Sequence, residues 1–119
     1  MPVAMDFVTP VTAENFNELV LRTNIPVVAE FMSYGCEHCR LLEPVLQKVA
    51  EKLGSRELIF RVNIATEQTL ADRYQIEGTP TLVMFWKGVE IGRAIGPDPS
   101  MQALWDAVTS PFEGLSQNG

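Results

Sequence analysis

Between Cys36 and Leu53 the apolar residues Leu42, Val45, Leu46, Val49 and Leu53 fall at i, i+3, i+4, i+7 and i+11. That spacing is one face of an amphipathic helix, and Gly54 is placed to end it. Immediately upstream, Pro26-Val27-Val28-Ala29-Glu30-Phe31 reads as a buried strand. Its proline stands at the first position, where a missing N–H does little harm. A strand running straight into a long amphipathic helix is a strong constraint on architecture, because each must bury an apolar face against further elements.

The remaining pattern supplies those elements. Asp6-Phe7-Val8 reads as a weak first strand, and Thr12 as the cap of a helix whose apolar face holds Phe16, Leu19 and Val20, stopped at Asn24. Leu58–Ile64 is strand-like, and a short helix over Glu67–Tyr74 follows, capped by Thr66. Thr81–Trp86 and Glu90–Ile95 form two strands close enough across Lys87-Gly88 to make a hairpin. Asp98 and Pro99 serve as cap and first residue of a last helix, with Met101, Leu104, Trp105 and Val108 facing the sheet. The order βαβαβ then ββα predicts an α/β fold, a central mixed sheet with helices on both faces. With 119 residues and 46% hydrophobic content, one domain over residues 1–119 is expected, its core at about 5–110 and its polar tail Gly114–Gly119 frayed.

Charge and cysteine usage narrow the function. A net charge of −6 and a pI near 4.7 argue against nucleic acid, because phosphate binding needs clustered Lys and Arg. The longest apolar run, Leu82–Trp86, is too short to span a bilayer, and MPVAMDFVTP has neither a basic nor an apolar leader region. A monomeric cytoplasmic protein without membrane contact is expected. Its two cysteines, Cys36 and Cys39, stand three residues apart, whereas a secreted disulfide framework would carry more over longer loops. Cys36 opens the long helix, where unpaired N–H groups and the positive dipole end favour a thiolate. Residues at i and i+3 lie about 5–6 Å apart at Cβ, so the pair can pass between dithiol and disulfide with little backbone motion. A bridge closing so short a loop adds only about 2 kcal/mol through chain entropy, which favours a redox role over a structural staple.

Specific residues extend this reading. Val28-Ala29-Glu30-Phe31, Cys36-Glu37-His38-Cys39, Arg40 and Pro44 resemble the active-site region of the thioredoxin family. Farther on, Val62-Asn63-Ile64, Gly78-Thr79-Pro80-Thr81-Leu82, Lys87-Gly88 and Gly96 resemble that family's pattern in order and spacing, over roughly residues 5 to 110. The resemblance implies a thioredoxin fold and thiol–disulfide exchange with protein disulfides, recharged by a reductase or other thiol donor, with no cofactor and no metal. It implies that Cys36 attacks, Cys39 resolves, and Glu30, in place of the family's buried Asp, accepts the Cys39 proton. Burial in an apolar run would raise the Glu30 pKa towards neutrality. The plainer alternative is a charge at a sheet edge paired with Arg61, which takes the position of the family's buried Lys. Pro80 matches the family's cis-proline, with Gly35, Thr79 and Gly96 around it as the substrate-binding set. Pro44 is structural and is expected to kink its helix.

Two departures carry consequences. Gly35 replaces the family's Trp, and Glu37-His38 replace Gly-Pro. His38 matches the histidine of protein disulfide isomerases, where an imidazolium stabilises the Cys36 thiolate and makes the centre more oxidising, while Glu37 opposes it. Trp86 and Trp105 read as core or sheet-facing residues. The lost Trp also permits a non-catalytic adaptor. Zinc binding by Cys36, His38 and Cys39 is weaker, because one chain offers no second ligand pair and i, i+2 side chains diverge.

Overall fold

All six residues of the strand Val27–Met32 are buried, as an apolar run flanked by strands on both sides requires. The computed structural model describes residues 6–115. Among them, β1 (Thr9–Pro10), β2 (Val27–Met32), β3 (Leu58–Asn63), β4 (Thr81–Trp86) and β5 (Val89–Ile95) form one sheet in the order β1-β3-β2-β4-β5. β3 runs parallel to β1 and β2, and β4 runs antiparallel to β2 and β5, so the sheet is mixed. The helices are α1 (Glu37–Leu53), α2 (Gln68–Arg73) and α3 (Met101–Thr109).

Strand alternation sorts the core into two layers. Val28, Ile59, Leu82 and Met84 pack with Leu42, Leu46 and Val49 of α1 and with Leu104 and Val108 of α3. On the other face Val27, Ala29, Phe31, Phe60 and Val83 pack with Phe16, Val20 and Leu70. Glu30 shares a parity with Val28 and Arg61 with Ile59, so both polar side chains emerge on the α1 face. They are also register partners across β2 and β3. Trp86 and Trp105 pack against the α1-side core, as expected.

Local chemistry moved several boundaries. The first strand is Thr9–Pro10, not Asp6–Val8, because side chains take the earlier N–H groups: Phe7 donates to Gln47 and Val8 to Asp6. Thr12 does not cap a helix with its hydroxyl. Its carbonyl accepts from Asn15 and Phe16, and a π-helical segment, Asn17–Leu21, follows with Leu19 turned outward. The Thr66 hydroxyl bonds back to the Asn63 carbonyl, so α2 starts at Gln68 without a side-chain cap. Ser100, not Asp98, caps α3, its hydroxyl accepting from Ala103 N–H. Pro99 disfavours helical backbone at Asp98, which pushes the start past it. Lys87 and Gly88 both take positive φ, as a tight two-residue hairpin turn requires, and a Cβ on Gly88 would meet the Leu21 carbonyl oxygen at 2.9 Å. Gly54 follows α1 at φ +59, and Pro44 lies inside that helix without ending it. Residues 1–5, and residues 116–119 of the tail read as Gly114–Gly119, lie outside the described residues.

Candidate functional site

The end of β2 delivers the chain through Ser33, Tyr34 and Gly35 to Cys36, the N-cap of α1. Its sulfur sits where a capping oxygen normally does and accepts from Cys39 N–H at 3.1 Å. The Cys36 thiol points to the Thr79 carbonyl, 3.6 Å away. Cys36 is half-buried, Cys39 is buried, and both are free thiols. Burial alone would raise the Cys36 pKa, but hydrogen bonding with the Cys39 and Thr79 side chains and from the backbone N–H groups of Cys39 and His38 brings it below its ordinary value. Burial, then hydrogen bonding to Cys36, pushes Cys39 up to about 11. Two chemically identical side chains thereby become a ready thiolate and a reluctant one.

Across from the cysteines, Thr79–Pro80 is a cis peptide, and the Pro80 carbonyl accepts from Gly96 N–H at 2.8 Å. Gly96 has φ +55, and a Cβ there would come 3.6 Å from the His38 ring. The His38 Nε2 lies 2.8 Å from the Pro97 carbonyl oxygen. A carbonyl only accepts, so Nε2 carries the proton and the ring ties the start of α1 to the loop after β5. Glu37 is exposed. Beside Gly35 the space is open, since a Cβ there meets nothing within 4 Å. Cys36, Thr79, Pro80, Gly96 and His38 are thus brought together at one end of the sheet.

Glu30 lies on the central strand β2 and is completely buried, so it is no sheet-edge charge. It does pair with Arg61: Arg61 Nε stands 3.5 Å from Glu30 Oε1. Burial raises the Glu30 pKa to about 7 against the opposing pull of Arg61, and Glu43 adds to the rise. Arg61 also pairs with Asp6, at 3.4 Å, and with Glu43. Cys39, Glu43 and Arg61 line a cavity of about 190 Å³, walled also by Ser33, Tyr34 and Arg40. Glu43, Asp6, Gln47 and Tyr34 were not singled out in the sequence. The available signal was the i, i+4, i+8 series Cys39, Glu43, Gln47, which places all three on one helix face. Among the described residues, no group of three or more His, Cys, Asp or Glu side chains is arranged to hold a metal ion.

Residues 7–109 match the family model described as Thioredoxin. Thioredoxin of Pyropia yezoensis is 33% identical over 92 residues, covering 77% of this chain and 86% of that protein. Thioredoxin Y, chloroplastic, of Oryza sativa subsp. japonica is 33% identical over 93 residues, covering 78% of this chain and 55% of that longer protein. Among solved structures, a mutant thioredoxin from Halobacterium salinarum NRC-1 superposes with a TM-score of 0.77 at 26% identity, covering 94% of this chain and 97% of that one.

Proposed function

Since the chain belongs to the thioredoxin family and is a thiol–disulfide oxidoreductase acting on protein disulfides, we propose that Cys36 is its attacking thiol and Cys39 its resolving thiol. The observation carrying this assignment is the asymmetry at the helix start: Cys36 is only half-buried and its sulfur accepts from Cys39 N–H, whereas Cys39 is buried one turn deeper. The Cys36 thiolate attacks one sulfur of the substrate disulfide, forming a mixed disulfide and releasing the other sulfur. Cys39 then gives its proton to Glu30, and its thiolate attacks Cys36 Sγ. The Cys36–Cys39 bond forms, the bond to substrate breaks, and the substrate leaves with two added electrons.

The surrounding residues take roles consistent with their placement. Thr79, Pro80, Gly35 and Gly96 offer an open edge to an extended substrate segment, with backbone polar groups beside the reacting sulfur. His38 and Glu37 tune the stability of the Cys36 thiolate in opposite directions. We read residues 1–119 as a single domain acting as a cytoplasmic monomer and recharged by a reductase or other thiol donor. Acidic composition and a single cysteine pair support that reading. No helix among the described residues is long and apolar enough to cross a membrane.

Trapping tests the thiol assignment. In an extract, Cys39→Ser is expected to accumulate mixed disulfides that reductant releases, and Cys36→Ser few. Equal accumulation by both variants overturns the assignment, and absence of any adduct from either favours an adaptor.

A further inference from the structure

Arg61 is shared unequally among three carboxylates. Its Nη2 bonds Glu43, its Nη1 lies 3.4 Å from Asp6 Oδ2, and only Nε, at 3.5 Å, is left for Glu30. The Nε contact does not make a hydrogen bond, and among the described residues neither Glu30 oxygen has a hydrogen-bond partner. Gln47 locks the outer part of this arrangement. Its Nε2 donates at 2.7 Å to both Asp6 Oδ1 and Glu43 Oε2, and its Oε1 accepts from Phe7 N–H at 2.8 Å.

The guanidinium fork can grip a carboxylate through two parallel N–H bonds. On Glu30, its register partner, that grip would fix a buried negative charge. The fork is instead turned outward, to carboxylates nearer solvent. We propose that Glu43, with Asp6 and Gln47, is a positioning residue that holds the Arg61 fork away from Glu30 and leaves the Glu30 carboxyl free to take and return the Cys39 proton. This rests on the reading of Glu30 given above.

The charged groups acting on Glu30 are Arg61 from β3, Glu43 from α1 and Asp6 from the segment before β1. Cys39 and Arg40 line the cavity whose wall Glu43 and Arg61 share. The β4 neighbour, Leu82, brings no charge. In the forward step Cys39 S–H gives its proton to the Glu30 carboxylate. The new thiolate displaces the substrate sulfur from Cys36, and that sulfur departs with the bond's electron pair. When a thiol donor later reopens the Cys36–Cys39 bridge, the Cys39 sulfur leaves as a thiolate and recovers the proton from Glu30. Glu43 raises the Glu30 pKa in this arrangement, whereas Arg61 lowers it.

The test is titration of the Glu30 side-chain carboxyl by carbon-13 NMR in the reduced protein and in Glu43→Ala and Glu43→Gln. Glu43 is a third exposed, so both changes leave the core filled. Glu43→Ala frees the fork to turn on Glu30 and is expected to move its midpoint acid-ward by about one pH unit or more. Glu43→Gln keeps an oxygen for Arg61 Nη2 and is expected to move it less. An unmoved midpoint overturns the proposal. Equal shifts in the two variants also overturn it, because charge alone would then explain them. The base reading has a separate readout, the pH profile of turnover in Glu30→Gln. A profile like the parent's removes Glu30 from proton transfer, while the NMR titration still decides whether Glu43 steers Arg61.

Discussion

One turn of helix separates the two cysteines, yet their surroundings push them in opposite directions. The Cys36 sulfur receives the N–H groups an α-helix leaves unpaired at its start, and Cys39 is placed where ionisation is costly. His38 is placed to act on this balance twice, through its backbone N–H to Cys36 and, in the proposed tuning role, through its ring, which is tied to Pro97. The two contributions separate by substitution. His38→Ala keeps the N–H and loses the ring, whereas His38→Pro loses both. Both variants are expected to raise the Cys36 pKa and lower the reduction potential, proline more than alanine, with a shift of at least about 30 mV for proline. Glutathione equilibration with a parallel thiol titration measures both quantities. No movement in either variant means that Glu37 cancels the histidine. At this scale the sequence revealed a great deal: the cysteine spacing, Glu30 in an apolar run and Thr79-Pro80 were all readable. The Arg61 cluster was only half readable, because Asp6 and Gln47 join it from positions 55 and 14 residues away from Arg61, and spacing does not report such folding-dependent proximity.

At the level of elements, long periodic segments were legible and short ones were not. The α1 stripe, the five-residue apolar run Leu82–Trp86 of β4 and the Lys87-Gly88 turn each have many residues or a demanding backbone behind them, and all three fall where the pattern puts them. The segment Asn17–Leu21 has one turn and no side-chain cap, so its exact form depends on where Phe16 and Val20 find the sheet. Helix starts failed for one shared reason. Thr12, Thr66 and Asp98 are all competent caps by residue type, but each hydroxyl or carboxylate had a nearer alternative or the wrong backbone, whereas Ser100, like Cys36, meets its helix in extended conformation.

For the whole molecule, the buried carboxyls set a pH dependence of stability. Glu30 in β2 and Glu57 just before β3 are both buried, and burial raises their pKa values to about 7 and about 8 from an ordinary 4.5. Each therefore binds its proton more tightly in the folded chain than in the unfolded one. The stability they confer is present in full below about pH 4.5 and is lost as pH rises through 7 and 8. The Glu30 part amounts to about 3 kcal/mol, a substantial share of a small domain's total. Denaturant midpoints are expected to fall between pH 5 and pH 7.5, and the fall is expected to shrink in Glu30→Gln; a midpoint that rises over that interval contradicts the burial argument. The division of labour between the two thiols is tested most directly by the pH dependence of alkylation at each cysteine of the reduced protein, read separately by peptide mass spectrometry. Cys36 is expected to react first, with a midpoint below the ordinary thiol value, and Cys39 to stay unreactive until near pH 11. Equal rates at the two cysteines, or a lower midpoint at Cys39, would contradict the account.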